Sequence, residues 1–121
     1  MIRLTLTLFA IAVTPAQASE ESFPPVWSQD KTAVAICEYN ESSVCYVVCN
    51  DKVVNVSMVE KANLGKIGHY AYEKVITYPV SWESKSKSHC MFWFQTNAWI
   101  NGQRHTVKEP VSVHDGEYRG R

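Results

Sequence analysis

The sequence predicts an all-β fold, a small disulfide-stapled antiparallel β-sandwich or barrel with little helix. Three observations carry that expectation. Short β-branched and aromatic runs recur between turn residues along most of the chain. Apolar and polar residues alternate with a period of two in several of those runs. Four cysteines, an even number, sit in what reads as an exported chain.

The export expectation rests on the N-terminus. Met1-Ile2-Arg3 is a short basic n-region, Leu4 to Val13 is apolar, and Ala16-Gln17-Ala18 is a small-x-small cleavage pattern. Residues 1–18 therefore read as a secretory signal peptide. The apolar run is too short to span a bilayer, which takes about 20 residues. A run this short with an Ala-Gln-Ala site favours a bacterial periplasm or the extracellular space. Residues 19–30, polar and proline-containing, read as a flexible leader. Residues 31–113 read as one β domain and 114–121 as a frayed tail.

Lys31–Glu38 reads as the first strand, Asn40–Ser43 as a turn, and Val44–Cys49 as the second strand. Asn50-Asp51-Lys52 turns the chain again. Val53–Met58 reads as a third strand, with Val54, Val56 and Met58 on one face. Val59–Leu64 is a candidate short helix stopped by Gly65. Tyr70–Tyr78 is a further strand, bent or bulged at Pro79 because proline cannot donate to a ladder. Glu83–Ser88 reads as a solvated loop. Asn101-Gly102 is the strongest hairpin signal in the chain, since a type I′ turn needs positive φ at both central positions. It joins a long strand, Cys90–Ile100, to a return strand, Gln103–Val107. Glu109-Pro110 is expected to end that pairing, with Val111 and Val113 in a short final strand.

The cysteines are Cys37, Cys45, Cys49 and Cys90. Cys45 and Cys49 share a strand and lie about 13 Å apart, beyond the roughly 7 Å that a disulfide spans. Two pairings remain. A hairpin through Asn40–Ser42 sets Cys37 opposite Cys45 and so favours Cys37–Cys45 with Cys49–Cys90. The other is Cys37–Cys49 with Cys45–Cys90. Cys-x3-Cys with His89 beside Cys90 matches no common zinc spacing, so no metal and no cofactor are expected. The immunoglobulin pattern is absent too: no Trp follows Cys37 by about a dozen residues, and no Tyr stands two before Cys90.

Twelve basic residues balance twelve acidic ones. That balance supplies no electrostatic drive toward nucleic acid or anionic lipid. The chemistry-bearing stretch is the last hairpin. One face of its long strand carries Cys90, Phe92, Phe94, Thr96, Ala98 and Ile100, a core face. The other carries Met91, Trp93, Gln95, Asn97 and Trp99. A two-residue loop sets Arg104 opposite Trp99, where the two can stack as a cation–π pair. Large rigid indoles among amides suit recognition of a protein or glycan partner. The expected binding residues are Trp93, Gln95, Asn97, Trp99 and Arg104, in a non-catalytic binder such as an inhibitor or immunity protein. A structural subunit of a cell-envelope assembly is one alternative. A small secreted hydrolase using a histidine or carboxylate, with His89 or His105 as base, is another. No nucleophile elbow, His-Glu-x-x-His or phosphate loop occurs.

Overall fold

The computed structural model describes residues 23–69 and 71–119. The signal-peptide segment 1–18 and the first part of the leader lie outside the described residues. Among the described residues, eight strands and one helix follow in order: β1 (Val26–Trp27), β2 (Val34–Asn40), β3 (Ser42–Cys49), β4 (Lys52–Asn55), α1 (Met58–Ile67), β5 (Lys74–Lys85), β6 (His89–Ile100), β7 (Gln103–His114) and β8 (Glu117–Tyr118). They form two antiparallel four-stranded sheets, β1-β2-β3-β4 and β5-β6-β7-β8. The architecture is a sandwich rather than a closed barrel.

Each chain reversal follows local stereochemistry. Asn101 and Gly102 both take positive φ, 52° and 75°, and set Trp99 opposite Arg104 as the two-residue turn requires. Asn50-Asp51 and Asp115-Gly116 turn in the same way, with φ between 50° and 80°. Gly116 has a second constraint, since a Cβ there would lie 2.9 Å from Lys52 Cδ.

Both disulfides are the favoured pair. Cys37 and Cys45 face each other across β2 and β3 and are bonded. Cys49–Cys90 joins the two sheets across 41 positions of sequence. Around it the core closes: Cys37, Cys45, Val47 and Cys49 from sheet one meet Cys90, Phe92, Phe94, Val111 and Val113 from sheet two. Phe92 and Phe94 have no exposed surface.

Several expected boundaries are corrected. The third strand ends at Asn55, because the Asn55 Oδ1 accepts the Ser57 backbone N–H at 2.8 Å and turns the chain. Met58, expected on the inner face, is instead 59% exposed at the start of α1. The helix runs through Gly65 and stops at Gly68, whose φ of 80° lets its N–H bond the Leu64 carbonyl at 3.0 Å. The fifth strand begins at Lys74, four residues later than the aromatic pattern indicated, and absorbs Glu83–Lys85. The register shift at Pro79/Ser81 is the irregularity that proline anticipates, and a second falls at Trp82/Ser84.

The largest boundary correction is in the last hairpin. Pairing does not stop at Glu109-Pro110: Glu109 pairs with Phe94 and Pro110 with Trp93. The return strand therefore absorbs Val111 and Val113 and reaches His114. The supposed tail turns at Asp115-Gly116 and adds β8 to the sheet. The leader is also part of the fold from Phe23 onward. Val26 and Trp27 pair with β2, the Phe23 ring stacks on Tyr78 at 4.0 Å, and Asp30 lies 3.5 Å from the Lys85 ammonium of β5. The Asp30 carboxylate accepts hydrogen bonds from Thr32 and Ser28, which with Lys85 hold its pKa well below the usual carboxylate range.

The outermost strands are short or broken, and β8 covers only Val113 and His114 of β7. β1, β4 and β8 have two to four residues. β5 is long, but Pro79 and its bulges interrupt the row of donors.

Candidate functional site

The outer face of sheet two gathers the expected binding residues. Strand alternation places Trp93, Gln95, Asn97 and Trp99 on the side of β6 opposite Phe92 and Phe94. Arg104 joins them from β7, opposite Trp99 and exposed. All five residues therefore share one face.

Their surroundings are more built than the sequence indicated. Both indoles are half-buried, and Asn97 is only 7% exposed. The Tyr78 hydroxyl, on the same face of β5, accepts from Gln95 Nε2 at 2.7 Å and from Asn97 Nδ2 at 3.1 Å. Asn97 Oδ1 accepts from Gln95 Nε2 at 3.1 Å and from the Thr106 hydroxyl at 2.8 Å. The amides thus form a network across three strands. Fixed side chains lose little entropy on binding, and buried polar groups need partners in any case.

The indoles are held in a similar way. Trp93 Nε1 donates to Glu83 Oε1 at 2.7 Å, and Lys108 Nζ lies 5.9 Å from its ring centroid. The cation over Trp99 is Lys74, at 5.5 Å. This corrects the expected Trp99–Arg104 stack: Lys74 flanks Trp99 on β5 just as Arg104 flanks it on β7. Around the two indoles the face carries Lys74, Arg104 and Lys108, with Glu83 held to Trp93.

Sequence reasoning missed Tyr78, Glu83 and Lys74. Tyr78 was visible as an alternating strand residue. Its partnership with Gln95 depends on how β5 registers against β6, which no local signal sets.

The two candidate bases lie apart. His105 stands opposite Ala98 on the inner side of the hairpin, half-buried. His89 lies across from His114 with ring centroids 4.3 Å apart, and its Nε2 is 3.5 Å from Ser112 Oγ. Desolvation, then repulsion from His114, lowers the His89 pKa below the usual histidine range. Ser112 is 3% exposed, too enclosed for an incoming substrate to reach. Among the described residues, no group of three or more His, Cys, Asp or Glu side chains is placed to hold a metal.

On the other side of sheet two a polar chain runs beneath α1. Asn63 Nδ2 donates to Thr96 Oγ1 at 2.9 Å, Thr96 meets Thr77 at 2.8 Å, and Thr77 donates to Glu60 Oε2 at 2.7 Å. The terminal carboxylate fixes the direction, so the Thr96 hydroxyl donates to Thr77. This chain docks a helix whose buried side chains are Val59 and Asn63.

Comparison with known proteins adds no assignment: no protein-family model, curated protein or solved structure matches the chain.

Proposed function

We propose that the protein is a small exported domain that acts by binding rather than catalysis. It grips a macromolecular partner, protein or glycan, through Trp93, Gln95, Asn97, Trp99 and Arg104. An inhibitor or immunity protein is the concrete form this reading takes. Export fits the two disulfides and the lack, among the described residues, of any helix long and apolar enough to cross a membrane.

The observation that carries the proposal is the cross-strand network of Tyr78, Gln95, Asn97 and Thr106 between two half-buried indoles. It presents apolar area and fixed hydrogen-bonding atoms side by side, the combination found at binding hot spots. Arg104 and Lys108, both exposed beside those indoles, favour an acidic partner surface.

The test compares wild type, Trp99→Ala and Arg104→Glu on immobilised acidic polysaccharides and acidic proteins, with circular dichroism confirming the fold. Wild type should be retained by one of these classes. Trp99→Ala should weaken binding by about 30-fold, the effect of losing a hot-spot aromatic. Retention of both folded variants at wild-type strength removes this face as the site.

A further inference from the structure

A second surface is independent of that reading and lies on the outer side of sheet one. Residues 34–37 and 44–49 are unbroken apolar runs, the pattern of strands covered on both faces. Sheet two covers the inner face. On the outer face the register lines up Trp27, Val34, Val48 and Val53 in one row across all four strands. Ile36 and Tyr46 pair in the next row, and Val44 follows in the row after that. Trp27 is 47% exposed and Val53 69%, while Ile36, Tyr46 and Val48 are half-buried.

Charge and size narrow the occupant. By strand alternation, Glu38 is the only charged residue among the outward positions of β1 to β4. It stands two pleats, about 13 Å, from the Val34 row. A strongly charged partner therefore finds no complement here, whereas a second copy of the same uncharged face needs none. A two-fold interface uses one patch on both copies. With the axis along the Val34–Val48 row, the two Glu38 carboxylates lie about 26 Å apart. The central strands are about 25 Å long and four strands lie about 4.8 Å apart, so the face measures roughly 450 Å². Two such faces stacked remove on the order of 900 Å² from water, above most chance contacts at about 800 Å² and below the roughly 1,200 Å² of a stable complex. An interface of that size gives a weak, reversible pair.

We propose that the outer face of sheet one is the contact of a weak homodimer, two copies stacked face to face about a two-fold axis along the Trp27–Val34–Val48–Val53 row. The side chains of the two faces interdigitate across about 10 Å, as the inner faces of a sandwich do. Sheet two is the far layer of each copy, so its outer face stays open in the dimer.

The test is sedimentation velocity of the disulfide-bonded protein from about 10 µM to about 1 mM, the range expected of an interface smaller than those that bind at micromolar strength or better. The average mass should rise from one chain toward two, and added sodium chloride should not reverse the rise. Amide chemical shifts should move with concentration at Ile36, Tyr46, Val48 and Val53 and stay fixed at Gln95 and Thr106. Val53→Lys, at the most exposed position of the row, should weaken pairing about a hundredfold with circular dichroism unchanged, because a two-fold contact loses the buried valine twice. Trp27→Lys should act in the same direction, and Lys87→Glu, in the loop before β6, should change nothing. A single-chain mass throughout, pairing undiminished in Val53→Lys, or concentration-dependent shifts confined to sheet two overturns the proposal. Flotation of a strictly monomeric protein with phosphatidylcholine vesicles also overturns it and assigns the face to a lipid surface.

Discussion

The two faces of β6 solve opposite problems with the same backbone. The inner face, Cys90, Phe92, Phe94, Thr96 and Ala98, is wholly buried. It is held at one end by apolar packing and a disulfide, and at the other by the chain from Asn63 to Glu60. The outer face, Met91, Trp93, Gln95, Asn97 and Trp99, is mostly half-buried and held by side-chain hydrogen bonds and cations over rings. The inner face gains from removing apolar area from water, roughly 25 cal/mol per Å². The outer face gains little of that, and fixes the positions of its groups instead. The difference teaches that one strand can be fixed by packing on one side and by side-chain partners on the other.

Substitutions separate the faces. Phe92→Ala should cost about 3–5 kcal/mol in urea unfolding, since it opens a cavity in packed surroundings. If it cost under 1 kcal/mol, the inner face would not be the core. Removing Cys49–Cys90 by paired serine substitution should cost about 4 kcal/mol, against about 2.5 for Cys37–Cys45, because the loops closed span 41 and 8 positions. Equal losses would show that strain or denatured-state structure outweighs chain entropy. Thr96→Val should cost about 1–3 kcal/mol, as it leaves the Asn63 amide nitrogen without its acceptor. In contrast, Trp99→Ala should change unfolding free energy by only about 1 kcal/mol, the scale of a cation–π contact at a partly exposed site. A larger loss would make Trp99 structural and remove the contrast between the faces.

The smallest effect is a pH dependence at the end of the outer face. The folded-state pKa of His89 lies below the ordinary histidine value of 6.5. As pH falls through about 6.5 the unfolded chain takes up a proton before the folded one, so stability is full above that value. It declines until the folded-state pKa is passed. Thermal unfolding between pH 7.5 and 5 should show this decline, and His89→Asn should flatten it. His114→Asn should flatten it less, because desolvation is the larger cause and repulsion from His114 the smaller.

The last hairpin was legible because its signals are local. Asn101-Gly102 determined the turn, the turn determined the register, and alternation then assigned every side chain from Cys90 to Ile100 to a face. The same reasoning misplaced the end of β7, since proline was taken as a stop. In the structure Pro110 stands opposite Trp93, and pairing continues past it to His114. Val53–Met58 failed for a similar reason. Its alternation was genuine, yet Asn55 turned the chain before Met58 through a bond to a residue two positions on. Period-two patterning and side-chain capping compete at such places, and composition alone does not rank them.

The sequence by itself determined the antiparallel β class and the final hairpin's register, and it excluded a Cys45–Cys49 bond while favouring the pairing that forms. Each depends on constraints that act over a few residues or on a fixed bond reach: φ at the turn, the direction of alternate side chains, and the span of a disulfide. Only the tertiary structure decided that Tyr78 organises the amide row and that Lys74 rather than Arg104 covers Trp99. It alone also decided that the chain from Asn63 to Glu60 docks α1 against sheet two. These depend on contacts between residues 17 to 33 positions apart, set by how β5, β6 and α1 register against one another. A hydrogen bond requires its partners within about 3 Å, and no periodicity in the chain encodes that distance.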